Sequence, residues 1–167
     1  MRQCVLLFFV VGVFCWGGRA EAKTMFSKAR EGDFVRRYAS LPNLPFFTVK
    51  GIGRVDIGYT FNTTSVLGIP LWNSKPRWCG WVGSYDTYVD LTPKSVVDVV
   101  KHFNERASRH GWEPIPIKSI RTRRDAWHAL IRIYNARGRV FQKERFIPIR
   151  LKLPKHPPLP FWYRLGG

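Results

Sequence analysis

The chain has 167 residues, of which 45% are hydrophobic, and its 28 Lys and Arg against 11 Asp and Glu give a formal net charge of +17. Seven Trp and twelve Phe exclude wholesale disorder despite that charge, and the length suits one domain of ordinary size with a real core. Twelve Pro and fourteen Gly exclude a plain helical bundle and favour short strands with many turns.

Residues 1–22 are an apolar leader. Met1-Arg2-Gln3 precedes an apolar run from Cys4 to Trp16, and Ala20-Glu21-Ala22 follows in the layout of a signal peptide. The run is shorter than the ~20 residues of a comfortable transmembrane helix. It reads either as a cleaved signal or as a retained apolar anchor. Cysteine usage points elsewhere: Cys4 and Cys15 lie in the leader, so Cys79 stands alone after it. A basic chain without a disulfide pair fits a reducing compartment better than a secreted one.

Residues 23–48 begin polar and basic, with Arg36-Arg37, and become Pro-rich at Leu41-Pro42-Asn43-Leu44-Pro45. This predicts an extended arm, with one helical turn around Phe26 to Tyr38. An α+β domain is expected over 49–153. In it Val55, Ile57, Tyr59 and Phe61 alternate with Arg54, Asp56, Gly58 and Thr60, the period of a half-buried strand. Ser65 to Trp72 is a second apolar run. The stretch from Trp72 to Trp81 reads as an indole-dense loop, and Tyr85 to Leu91 as a strand.

The clearest element is a helix over 93–110. Thr92 is its N-cap, Pro93 takes the first helical position, and Val96, Val97, Val100, Phe103 and Ala107 form one stripe. Gly111 is placed for a left-handed cap, with Trp112 folding back on the last turn.

The charge is polarised toward the region that follows. Sixteen of the bases, against four acids, lie between Lys101 and Arg164. Ile115, Ile117 and Ile120 suggest a short strand. Trp127, Ala129, Ile131 and Ile133 alternate with His128, Leu130, Arg132 and Tyr134, and Ile147, Ile149, Leu151 and Leu153 alternate with Pro148, Arg150 and Lys152. With a turn at 135–139, this predicts a basic β-hairpin. Its anion-binding candidates are Arg121, Arg123, Arg124, Arg132, Arg137, Arg139, Lys143, Arg145, Arg150 and Lys152. Arginine dominates the set, which suits bidentate phosphate contact. The tail at 154–167 reads as an extended Pro- and aromatic-rich segment.

No catalytic signature stands out. The four histidines lack Cys, Asp or Glu at metal-ligand spacing, Cys79 has no evident base, and Gly51-Ile52-Gly53 lacks the Lys-Ser/Thr of a phosphate loop. The expectation is a non-enzyme without cofactor, metal or small-molecule substrate. The fold class expected is α+β: a small mixed or antiparallel sheet, one main amphipathic helix, a basic C-terminal hairpin and extended arms.

Pro76-Arg77-Trp78-Cys79-Gly80-Trp81-Val82-Gly83-Ser84-Tyr85-Asp86, followed by a helix ending Arg109-His110-Gly111-Trp112, resembles the mitochondrial complex I 18-kDa accessory subunit family. That family carries an N-P-L-M-G-W-x-S stretch and a helix ending in N/H-G-W. The resemblance implies an accessory subunit of an inner-membrane respiratory complex. Charge and composition point first to a mitochondrial ribosomal protein, with rRNA, an anionic lipid or an acidic protein surface as partner. Neighbouring subunits would meet the arm and tail. A secreted or periplasmic basic binding protein is the reading that takes the leader at face value.

Overall fold

The computed structural model describes residues 26–28, 33–49, 51–67, 69–83, 87–141 and 146–158, with backbone alone at 26–28, 33, 64–66, 69–73 and 139–141. The leader, Lys143, Arg145 and the tail from 159 onward lie outside the described residues. The fold is α+β in two compact units, one built from residues up to Asp90 with those after Leu153, the other spanning Leu91–Leu153.

The first unit is a sheet protein. Its strands are β1 (Phe26–Lys28), β2 (Asp33–Ala39), β3 (Thr48–Val49), β4 (Gly53–Arg54), β5 (Asp56–Val66), β6 (Ile69–Asn73), β7 (Arg77–Trp81) and β8 (Thr87–Val89). The main antiparallel sheet has the order β1-β8-β7-β5-β2, β6 pairs with β5, and β3-β4 is a separate hairpin. The alternation seen in the sequence is the reason β5 sits centrally. Tyr59 pairs with Trp78 and Phe61 with Phe34, so their rings share one face, where Ile57, Tyr59, Phe61 and Trp78 are buried. On the opposite face Val35, Cys79 and Tyr88 pack together with Trp81. The strands approach closely at Gly58, where a Cβ would stand 2.7 Å from the Arg36 carbonyl oxygen and 2.8 Å from Trp81 Cβ.

Asp56 ties the Pro-rich segment to this sheet. Its carboxylate, 3% exposed as a residue, accepts from the Leu41 N–H at 2.9 Å and from Arg54 Nε at 3.0 Å. Arg37 lies 3.6 Å away and stacks its guanidinium over the Trp81 ring, while Arg54 also donates to the Leu41 carbonyl. The expected N-terminal arm is therefore extended but not peripheral. The helical turn expected between Phe26 and Tyr38 is replaced by strands β1 and β2. The indole-dense loop likewise ends in β7, whose Trp78 and Cys79 are buried.

The second unit holds two helices. Helix α1 (Pro93–His110) opens with Thr92 and Ser95 in a reciprocal capping box and ends at Gly111 in the left-handed region, φ 64°. Val96, Val100, Phe103 and Ala107 form its buried stripe. The Trp112 N–H donates to the Ala107 carbonyl at 2.9 Å, and its ring stacks on Phe103 at 5.1 Å. Downstream, the Asn104 side chain both donates to the Ile115 carbonyl and accepts from the Ile115 N–H, each at 2.8 Å. The strand expected near Ile115 is instead an irregular segment with a 3-10 turn at Ile117–Ser119.

The predicted basic hairpin is a helix. Helix α2 spans Arg123–Phe141, the stretch expected to hold the first strand and the turn. The alternating residues belonged to a wide helical stripe: Ala126, Trp127, Ala129, Leu130, Ile131, Ile133 and Tyr134 are all buried. Reading every second residue inside such a stripe reproduces the period of a strand. Thr122 and Asp125 supply the start signal, since the Asp125 N–H donates to Thr122 Oγ1 at 3.2 Å and the Thr122 N–H to Asp125 Oδ2 at 2.9 Å. The second predicted strand is extended over 146–153 but joins no ladder.

Candidate anion-binding surface

Helix α2 sets out its polar residues at helical spacing. Arg124, His128, Arg132, Asn135 and Arg139 recur every three or four positions and so fall on one stripe. Along that stripe lies the extended segment 146–153, running antiparallel to the helix. Phe146 packs against Tyr134 with ring centroids 5.4 Å apart, and the Tyr134 hydroxyl donates to the Ile147 carbonyl at 3.2 Å. Asn135 donates from Nδ2 to the Ile149 carbonyl at 3.0 Å and accepts from the Ile149 N–H at 2.9 Å. Two helical turns back, His128 is hydrogen-bonded to the Leu153 backbone.

These anchors decide where the next charges fall. Arg150 follows the residue held by Asn135, Lys152 precedes the one held by His128, and both are exposed. By backbone position they lie along the stretch of α2 between His128 and Asn135, which holds Arg132. Arg121 lies exposed just before α2, its N–H donating to Asp125 and its Nε to the Lys118 carbonyl. Arg139 occupies the same stripe by backbone position. The structure thus gathers Arg121, Arg124, Arg132, Arg139, Arg150 and Lys152 along α2 and its strap.

Arg123 and Arg137 diverge from this group. Both fall on the inward side of α2 by helical position and are part-buried. Burial pulls the Arg137 guanidinium below the ordinary arginine range, and Arg106 of α1 adds to the effect as a like charge.

Carboxylates are scarce and already engaged. The described part of this unit holds thirteen Lys and Arg and four acids. Asp98 lies 3.3 Å from Lys101, Glu105 3.4 Å from His102, and Glu113 3.2 Å from Arg132. Asp125 accepts the helix-start N–H groups. Although burial raises its pKa, the bonds from Thr122 and Arg121 and the Arg124 charge outweigh this and hold its carboxyl below the usual range. His128 is pulled down by burial and by Arg124, against the opposite pull of Asp125 and the Leu153 bond.

Such an arrangement can bind a repeating anion at several points. Among the described residues no group of three or more His, Cys, Asp or Glu converges as a metal site. No helix among them is long and apolar enough to cross a membrane. Asn135 and His128 position the surface; the sequence reading places His128 among the basic residues but takes Asn135 only as part of a turn. An asparagine that clamps a distant strand carries no local signal, and its bonding partner lies fourteen residues away. No protein-family profile, curated protein or solved structure matches the chain.

Proposed function

We propose that this chain is a non-catalytic structural subunit of a large organellar assembly, a mitochondrial ribosomal protein that contacts rRNA through the α2 stripe and its strap. The observation that supports this reading is the Asn135 clamp, which ties the strap carrying Arg150 and Lys152 to the helix that carries Arg124 and Arg132. Glu113 pairs with Arg132 and Asp125 lies beside Arg124, but the cations of helix and strap still leave a positive excess that repels itself. A phosphate backbone relieves that repulsion and releases its own counterions on binding. Arginine forks suit phosphate oxygens, and the surface has no device for reading bases, so contact through backbone shape follows.

The test is binding of the purified chain to structured RNA across a salt series. Triple reversal of Arg124, Arg150 and Lys152 to Glu is expected to weaken binding by at least tenfold and to flatten the salt slope by about three charges. Unchanged affinity at low salt would sink the proposal.

A second reading is an accessory subunit of an inner-membrane respiratory complex. It draws on the end of α1, where His110-Gly111-Trp112 forms a left-handed cap with the indole stacked on Phe103. That tripeptide belongs to the likeness with the complex I 18-kDa accessory subunit family. Co-migration with a respiratory complex in mild detergent, without ribosomal sedimentation, would favour it over the first.

A further inference from the structure

The first unit carries a separate surface on the β5–β6 ribbon. Pairing of β5 with β7 stops at Thr60 and with β2 at Asn62. From Thr63 onward β6 is its one partner among the described residues. Val66 pairs with Ile69, so only two positions of sequence, 67 and 68, separate the paired strands. Connections of that length demand left-handed backbone and take Asn, Asp or Gly. Here the position belongs to Leu67, at φ 55° with 97% of its surface exposed. A leucine strains the backbone in this region, and an isobutyl group in water loses the benefit of burial. Neither choice serves the fold.

The surrounding sequence gives the tip a direction. Val66 through Trp72 holds no charged residue, and no acid occurs between Asp56 and Asp86. Trp72 is in register with Thr64, which places it about 10 Å back from the tip at ~3.3 Å per residue. The Ser74 N–H donates to the Asn62 carbonyl at 2.8 Å, and the exposed cations Lys75 and Arg77 follow it. Apolar tip, a tryptophan position, then cations is the order in which a ribbon entering an anionic bilayer meets acyl chains, interface and surface potential.

We infer that the β5–β6 tip inserts Leu67 into the headgroup–acyl boundary of an anionic bilayer, with Lys75 and Arg77 at the ribbon's foot drawn toward the surface by its negative potential. A pocket on a partner protein could accept the tip, but the uncharged tip, the cations at its foot and the net +17 charge match an anionic sheet of lipid. This contact is independent of the polyanion proposed for the second unit.

The experiment compares full-length protein with Leu67→Asn and with an environment-sensitive label on Leu67→Cys. The label is placed in a background carrying Cys4→Ser and Cys15→Ser, because Cys79 is 0% exposed. Vesicles are phosphatidylcholine alone or with about one-third phosphatidylglycerol, so that surface charge is the variable. L67N creates an Asn-Gly turn and is expected to raise the melting temperature, which separates lost contact from lost folding. It is expected to weaken partitioning into anionic vesicles by about tenfold, as removal of one buried aliphatic side chain implies. The label is expected to shift to the blue on anionic vesicles only. Unchanged partitioning of L67N, or a label that stays in water on bound protein, overturns the bilayer contact and leaves a protein pocket as the tip's occupant.

Discussion

The side-chain amide of Asn135 closes both backbone hydrogen-bonding groups of Ile149, doing for one residue what a neighbouring strand does for many. Asn104 holds Ile115 in the same way. The two clamps allow a clean comparison, because only the first carries the strap with Arg150 and Lys152. Replacing either asparagine by Ala strands two part-buried backbone groups and is expected to cost about 1–3 kcal/mol. Denaturant unfolding should register both losses. Affinity for RNA should fall in N135A and stay unchanged in N104A.

Gly138 is the floor on which Phe146 lies, and a Cβ there would fall inside the Phe146 ring. In an ordinary helix interior, Gly→Ala stabilises by up to ~1 kcal/mol. Here G138A should destabilise instead, or displace Phe146 and loosen the strap. Loss of thermal stability together with weaker RNA binding is the expected result, measured on one preparation.

Asp56 receives the Leu41 N–H, Arg54 and Arg37 on one buried carboxylate. Asp56→Ala leaves a backbone N–H without its acceptor and Arg54 without its counter-charge. The expected loss is about 3 kcal/mol in urea unfolding. Limited proteolysis should then cut first in the Pro-rich segment around Leu41, now released from the sheet.

Two groups in the second unit set its response to acid. The folded pKa of Asp125 lies below its unfolded value, so its contribution is fully present above about pH 4 and is lost as pH falls through the folded value. His128 is also depressed. The fold favours its neutral form, and stability is lost as pH falls from about 6.5 through the folded pKa. Stability measured against pH should therefore decline in two steps. H128Q should remove the upper step and D125N the lower, with D125N also costing about 1 kcal/mol at neutral pH as a lost cap.

Much of the architecture was readable in advance where local rules agreed. The Thr92, Pro93 and Gly111 signals fixed α1 to the residue, and the alternation in β5 placed the central strand. The largest error has a clear cause. Around Trp127 to Tyr134 nearly every residue is apolar, so period two and period 3.6 fit equally well. The Thr122–Asp125 box that decides between them is short. Arg77–Trp81 failed for the opposite reason: three buried residues between Arg77 and Trp81 include a glycine and a cysteine, and only packing makes them a strand. The basic cluster was legible as composition. Its division into an outer stripe with a strap, and an inner pair at Arg123 and Arg137, needed the helix.

The pairing of β1 with β8 sets an order of assembly. Phe26 meets Val89 across the sheet, so the first strand of the unit has to wait for its last. A chain emerging in sequence can build β2, β5 and β7 while its beginning is still held. Sheet closure comes only when Phe26, four residues past the end of the predicted leader, docks against Val89. The described strand nearest the chain's start is thus the last of this sheet to be fixed.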